Sequence, residues 1–176
     1  MVEYANIYLY PMLVNKVAQS GLVVLDLEDF YPKKEVVEID ISQFLFKGLI
    51  LREKEFRTAL KEYDWTSYQN RAVAINCSTD AIIPQWAYML ITSYLVLQTK
   101  EVYFGNKQQV EEQLLVNALN GINIEAYTDE KVIIKGCGKL DKSGMAYVEI
   151  SKLLLPVVKT LMFGEPCSTV PVYKKK

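Results

Sequence analysis

Apolar and polar positions follow two different periods along the second half of the chain. Short runs rich in apolar and β-branched residues predict strands at Arg71–Cys77, Glu101–Phe104 and Lys131–Lys135. Between these runs, apolar side chains recur every three to four residues, which is the period of an amphipathic helix. Strands separated by helices of this length run parallel with right-handed crossovers, so the pattern predicts that the three strands share one sheet.

This alternation of strands and helices predicts an α/β fold, a three-layer sandwich around a mainly parallel central sheet. The first half of the chain contains two more strand-like runs, Leu22–Leu27 and Val36–Ile41. Because a turn sequence separates them, we expect these runs to form an N-terminal β-hairpin-like addition to the sheet.

Helical spacing outside the central repeat predicts an amphipathic helix over Arg52–Tyr63 and a long apolar helix from Ala146 to Phe163. Neither an internal repeat nor a linker long enough to separate domains is present. We therefore expect residues 1–12 to form a tail and residues 13–176 to form a single α/β domain.

Nineteen consecutive residues from Ala81 to Thr99 carry no charge, which approaches the length of a membrane span. The segment contains Pro84 and several polar side chains and lacks cationic flanks, so we expect a buried helix and no membrane partner. Asp80 is the expected N-cap of this helix. Since the segment is apolar on nearly every face, we expect it to be the most buried helix of the protein.

Composition and charge exclude several classes of protein. A hydrophobic fraction of 51% and a charged fraction of 23% are typical of a globular domain and exclude intrinsic disorder. Twenty Lys and Arg against twenty-one Asp and Glu give a net charge of -1, so we expect no nucleic-acid partner. The absence of histidine excludes Ser-His-Asp and Cys-His catalysis and His-ligated zinc or haem.

The three cysteines, Cys77, Cys137 and Cys167, are odd in number and widely spaced, which is not the pattern of a secreted disulfide framework. The first residues also lack the basic and apolar regions of a signal peptide, so we expect a cytoplasmic protein.

Two of these thiols are candidate metal ligands, because Cys77 and Cys137 each follow a predicted strand. Neighbouring strands lie about 4.8 Å apart, so adjacent strands would bring the two sulfurs close enough to share a metal such as zinc. Asp80 is the candidate carboxylate ligand beside them. The alternative interpretation is that both cysteines are small buried core residues.

The sequence resembles a known family along three long runs, Leu13–Pro32, Cys77–Leu90 and Gly164–Lys174. From Leu13 onward the chain is similar to a bacterial family catalogued as domain of unknown function 2480, which has no established activity. The resemblance implies a genomic context beside the Suf genes of iron–sulfur assembly, and with it iron–sulfur assembly proteins as partners.

That context makes an iron–sulfur cluster or zinc the candidate cofactor, bound by Cys77, Cys137 and Cys167. Clusters usually need four thiolates, so a carboxylate, a small thiol or a second subunit would have to complete the site.

Three functional hypotheses remain open at this point. The first is an accessory factor in iron–sulfur cluster assembly or in sulfur and metal handling through cysteine thiolates. The second is a non-catalytic protein–protein interaction module or homodimer. The third is a small-molecule enzyme at the carboxyl edge of the sheet, which the absence of histidine and of any recognised catalytic signature makes weaker. No residue is assigned as catalytic.

Overall fold

The fold comprises two compact units of the chain. The computed structural model describes residues 15–17, 21–136 and 144–176. One unit is Pro32–Leu114, and the other combines Met1–Tyr31 with Leu115–Lys176. The strands in chain order are β1 Asn15–Val17, β2 Leu22–Asp26, β3 Val36–Asp40, β4 Ala72–Asn76, β5 Val102–Phe104, β6 Lys131–Lys135, β7 Thr160–Glu165 and β8 Ser168–Lys174. The helices are α1 Glu53–Glu62, α2 Gln85–Leu95, α3 Lys107–Asn120 and α4 Gly144–Leu154.

The Pro32–Leu114 unit is built on a parallel sheet with β4 at its centre, in the order β3-β4-β5. Val73 and Ile75 of β4 point to one face and pack in one cluster with side chains of α1 and α2. Ala72 and Ala74 point to the other face and pack with Val110 of α3. Because the strand order advances in one direction, right-handed crossovers place α1 and α2 on the same face.

Aromatic rings fill the space between α1 and α2. Phe56 of α1 meets Trp86 of α2 edge to face, with 5.8 Å between ring centroids. Trp65, which follows α1, stacks on Tyr94 of α2 at 5.2 Å. The indole N–H of Trp65 donates to the carbonyl of Leu60 at 2.9 Å, so this buried ring has its polar atom satisfied.

The other unit contains a sheet in the order β1-β2-β6-β7-β8. Its central strands β2, β6 and β7 are parallel, and β1 and β8 are added antiparallel at the two edges. Helix α4 covers one face, where Ala146, Ile150 and Leu154 belong to the same buried cluster as Val132 and Ile134 of β6.

The predicted α/β class with mainly parallel sheets is confirmed, but the prediction that three strands share a sheet is wrong. β4 and β5 are parallel neighbours as expected, whereas β6 lies in the other sheet between β2 and β7. The predicted hairpin of Leu22–Leu27 with Val36–Ile41 is also wrong, because β2 pairs with β1 and β6 while β3 pairs with β4. Local periodicity identifies a strand but not its partner.

The long helix predicted from Ala146 to Phe163 is wrong in its second half. Helix α4 ends at Leu154, two residues before Pro156, because proline has no amide hydrogen to donate and disfavours helical geometry in the residue before it. The chain then enters β7, and the apolar tail beyond it is β8, which pairs antiparallel with β7.

The structure of the uncharged segment from Ala81 to Thr99 also differs from the one predicted. Helix α2 begins at Gln85 with Pro84 as its N-cap, so Asp80 does not cap it. Its buried residues are Ala87, Ile91 and Leu95, whereas Met89 on the opposite side is 72% exposed. The helix is therefore not covered on every side, although it has the smallest share of exposed residues among the described helices. Within the described ranges, every helix is too short or too polar to span a membrane.

We expect Phe56→Ala to lower the free energy of unfolding by about 3–5 kcal/mol, because the ring is fully buried and its removal leaves a cavity. Both tryptophans, Trp65 and Trp86, lie in the Pro32–Leu114 unit, so urea unfolding followed by tryptophan fluorescence reports on this unit. Leu49→Ala is the control, because Leu49 is exposed in the same unit and its truncation should change the free energy by less than about 0.5 kcal/mol. A loss below about 1 kcal/mol for Phe56→Ala would contradict this packing.

Candidate functional site

Cys77 lies in the loop that leaves β4 at the carboxyl edge of the β3-β4-β5 sheet. Its side chain is partly buried, and its sulfur is 3.5 Å from the hydroxyl oxygen and 3.6 Å from the carbonyl oxygen of Thr79. The Thr79 hydroxyl donates in turn to the carbonyl of Gly48 at 2.7 Å. The thiol is therefore positioned by the loop between β4 and α2, which the Thr79 hydroxyl ties to the segment before α1.

Asp40 at the end of β3 binds the same loop. Its carboxylate accepts hydrogen bonds from the backbone N–H and hydroxyl of Ser78, at 3.1 and 2.5 Å, and from the backbone N–H of Ser42 at 2.9 Å. Partial burial alone would raise the pKa of Asp40, but the hydrogen bonds from Ser78 and Ser42 outweigh burial and lower the pKa to about 2. A carboxylate with such a low pKa is a poor general base at neutral pH.

Glu38 makes a second carboxylate contact on this sheet. It accepts from the side-chain amide of Asn76 at 3.0 Å and from the backbone N–H of Lys107 at 2.7 Å, so it lies at the N-terminus of α3. A negative charge is favourable there because the first amides of a helix are unpaired and the helix dipole is positive. The buried amide oxygen of Asn76 has no hydrogen-bond partner among the described residues.

The predicted metal ligands are not brought together by the described residues. Asp80 is exposed, and its neighbour α2 starts five residues further on. Cys167 is exposed in the turn between β7 and β8, in the other unit from Cys77. Cys137 lies outside the described residues. Within the part of the chain that is described, no group of three or more Cys, Asp or Glu side chains has the geometry of a metal site.

The expectation that Cys77 and Cys137 lie close together rested on a strand order that is wrong. It required the strands before them to be neighbours, but β4 and β6 belong to different sheets. Helix α2 begins eight residues after Cys77, so the thiol does not directly precede the N-terminus of the helix. Ligation of a metal or cluster by the cysteines stays a prediction.

A surface that the sequence analysis missed lies on α2 and β5. We call it the α2–β5 surface, and it consists of Met89 on the outer side of α2, Val96 directly after the helix, and Phe104 of β5 with the Tyr88 ring against it. Met89 is 72% and Phe104 is 74% exposed, and the Phe104 ring meets the Tyr88 ring edge to face at 5.4 Å. The sequence feature that could have indicated this surface is the uncharged segment from Ala81 to Thr99, which the sequence analysis interpreted as a buried helix.

A cavity of about 340 Å³ lies in the other unit, between α4 and the β7–β8 pair. Tyr147 in its wall donates its hydroxyl to the carbonyl of Gly136 at 3.1 Å. Among the described residues, the lining consists of Ile134, Tyr147, Ser151, Leu161, Met162, Phe163 and Val172, and none of these is a carboxylate, a thiol or a cation.

These observations describe an α/β protein with two mainly parallel sheets, whose carboxylates at the β3-β4-β5 edge bind the chain's own loops and whose apolar α2 side is exposed. The chain belongs to the family described as protein of unknown function DUF2480, whose sequence profile matches residues 11–175. The resemblance seen in the sequence is thereby confirmed. No curated protein and no solved structure matches the chain significantly.

We expect Asp40→Asn to lower the free energy of unfolding at pH 7 by about 1–2 kcal/mol, after allowance for partial solvent screening. The pKa of Asp40 is lower in the folded state than its ordinary value of 3.8. The stability that its charge contributes is therefore present above pH 3.8 and is lost as the pH falls towards 2. Urea unfolding between pH 7 and pH 2 should show the wild-type and Asp40→Asn values converging at low pH.

The control for this prediction is Asp80→Asn, because Asp80 is exposed and accepts no hydrogen bond from the described residues. Its free energy of unfolding should stay close to the wild-type value at every pH. A difference between wild type and Asp40→Asn that does not change with pH would show that the Asp40 contacts do not depend on its charge.

Proposed function

We propose that this protein is a non-catalytic protein–protein interaction module that binds another polypeptide through the α2–β5 surface. The observation that carries the proposal is the exposure of Met89 on a helix without a single charged residue, together with exposed Val96 directly after the helix and exposed Phe104 of β5. Exposed apolar patches on globular proteins commonly mark sites that bind another molecule. Ile82 before α2 and Leu97 after it are also exposed, at 94% and 78%, and extend the apolar character of this segment.

The carboxyl edge of the sheet supports an interaction role over catalysis. Asp40 and Glu38 are already engaged by loop amides and hydroxyls of the same unit. A general base or metal ligand needs lone pairs directed at a substrate or ion. These carboxylates instead bind the loops that follow β3, β4 and β5, so they stabilise the sheet edge and loops that position α2.

An amber-encoded photocrosslinker, p-benzoyl-phenylalanine, at position 89 tests the proposal in the cells that naturally produce the protein. We expect a covalent adduct with a polypeptide at position 89, and loss of this adduct when Phe104→Lys is added to the same chain. Position 148 is the matched control, because Val148 is also an exposed apolar residue on a helix but lies on α4. Equal adducts at both positions, or none at position 89, would refute the proposal.

The accessory role in iron–sulfur or sulfur handling is the second candidate function. One observation favours it, namely that Cys167 is a free, exposed thiol in a hairpin turn, where it is accessible for transfer. Cytoplasmic iron–sulfur assembly proteins would be its partners, and an iron–sulfur cluster or zinc its cofactor.

This second candidate predicts bound iron, zinc or acid-labile sulfide in protein purified anaerobically. Cys77→Ser and Cys137→Ser should each abolish the bound metal or sulfide without unfolding the protein, because serine removes the thiolate while keeping nearly the same size. Metal analysis and circular dichroism measure the two effects. Unchanged metal content in both variants and in Cys167→Ser would leave the interaction module as the function.

A further inference from the structure

We propose that the polypeptide covering the α2–β5 surface is a second copy of this chain, joined by antiparallel pairing of the outer edges of the two β5 strands. This inference rests on the proposed function, since it names the partner of that surface. It follows from the direction of the β5 backbone groups, the composition of the sheet edges and the placement of α2.

The outer side of β5 has unpaired backbone groups. The N–H of Val73 donates to the carbonyl of Glu101 at 2.8 Å, and the N–H of Gly105 donates to the carbonyl of Ile75 at 3.0 Å. In a strand, alternate residues direct their N–H and C=O groups to opposite sides. The backbone groups of Val102 and Phe104 therefore point away from β4, and no described strand pairs with them.

The other sheet edges whose side chains are described carry features that oppose pairing. β3 contains the charged residues Glu38 and Asp40, and β8 contains Pro171 and is followed by further lysines at the C-terminus. Charges and proline are the usual means by which edge strands avoid pairing with another chain. β5 is short, but its sequence Val102–Phe104 contains neither a charge nor proline.

A two-fold axis at Tyr103 satisfies the outer backbone groups. With Tyr103 opposite the partner's Tyr103, each Val102 lies opposite the partner's Phe104. Val102 and Phe104 have outward N–H and C=O groups, so each such pair exchanges two hydrogen bonds, and the two pairs make four. The exposed Phe104 ring then packs across the strand on the partner's Val102, which is on the same face.

Helix α2 supplies the remainder of the interface. Trp86 and Tyr94 lie on the side of α2 that meets the aromatic rings of α1 and Trp65, whereas Tyr88 lies on the side that meets Phe104 of the edge strand. Tyr88 therefore places one side of α2 beside the β5 edge, and Met89, about 100° further around the helix, lies on the outer side.

A three-residue strand pair alone is too small for a stable dimer, which needs about 800 Å² per partner, so burial of the α2 face is required. Two copies of the same surface repel each other when it is charged. Residues 81–99 carry no charge, so a second copy meets no like-charge repulsion along α2. The absence of like-charge repulsion between two copies of α2, together with the unpaired outer edge of β5, favours a second copy of the chain over an unrelated partner.

The register is tested by cysteine cross-linking in a background of Cys77→Ser, Cys137→Ser and Cys167→Ser. Tyr103→Cys should form an intermolecular disulfide under mild oxidation, because the pair on the axis is not hydrogen-bonded and its Cα atoms lie about 4.5 Å apart. Phe104→Cys is the matched control, since the two copies of residue 104 are diagonal neighbours about 7–8 Å apart and should not form a disulfide. Cross-linking at 104 but not at 103 would overturn the proposed register.

Sedimentation velocity on the otherwise unaltered chain keeps the proposal testable if Tyr103→Cys fails to fold. We expect a dimer whose Kd rises at least about tenfold in Phe104→Lys, because two ammonium groups enter the apolar interface, and stays unchanged in Val148→Lys. A monomer at 100 µM, a concentration about 100-fold above a micromolar Kd, overturns the homodimer. So does a dimer that Phe104→Lys does not weaken.

Failure of the homodimer and failure of the proposed function give different results. The mass of the adduct formed by the photocrosslinker at position 89 is twice the chain mass if the second copy is the partner. An adduct of another mass that depends on Phe104, together with a monomer in sedimentation, overturns the homodimer and leaves the interaction module in place. The absence of any adduct at position 89 overturns both.

Discussion

Burial of β4 on both faces is the constraint on which the Pro32–Leu114 unit depends. A strand covered on both sides needs apolar side chains at every position, and the four residues from Ala72 to Ile75 are all buried. The larger Val73 and Ile75 face α1 and α2, while Ala72 and Ala74 face α3. The two small residues allow α3 to pack close to the sheet, and the two larger ones fill the space beneath a pair of helices.

The layer of α1 and α2 in turn determines which side of α2 is exposed. Aromatic contacts with Phe56 and Trp65 hold one side of the helix, and the buried residues Ala87, Ile91 and Leu95 hold the side facing the sheet. The remaining side bears Met89 without a charged neighbour on the helix, which is unusual for a solvent-facing surface. Exposure of this side is therefore a consequence of packing, and its lack of charge is a feature of the sequence that an interface would explain.

The polar groups at the carboxyl edge act mainly on the backbone. Asp40 and Glu38 accept from amides and hydroxyls of loops that follow three different strands, which fixes those loops relative to the sheet. In the other sheet, Lys135 lies 3.6 Å from a carboxylate oxygen of Asp26 and 3.3 Å from one of Glu165, so the ends of three parallel strands are linked there as well. Partly exposed ion pairs of this kind contribute little to stability, and their effect is to order the strand ends.

The sequence by itself determined the class of fold, the positions of β4, β5 and β6, and the helix over α1, because each depends on local periodicity and on nearby polar or glycine residues. It also determined the family. Only the tertiary structure decided that β6 pairs with β2 and β7, that the chain after Pro156 becomes a strand, and that the outer side of α2 is exposed. The physical reason is that strand partners and helix coverage depend on contacts between residues far apart in the chain. An uncharged run such as 81–99 has the same pattern whether another part of the chain covers it or nothing does.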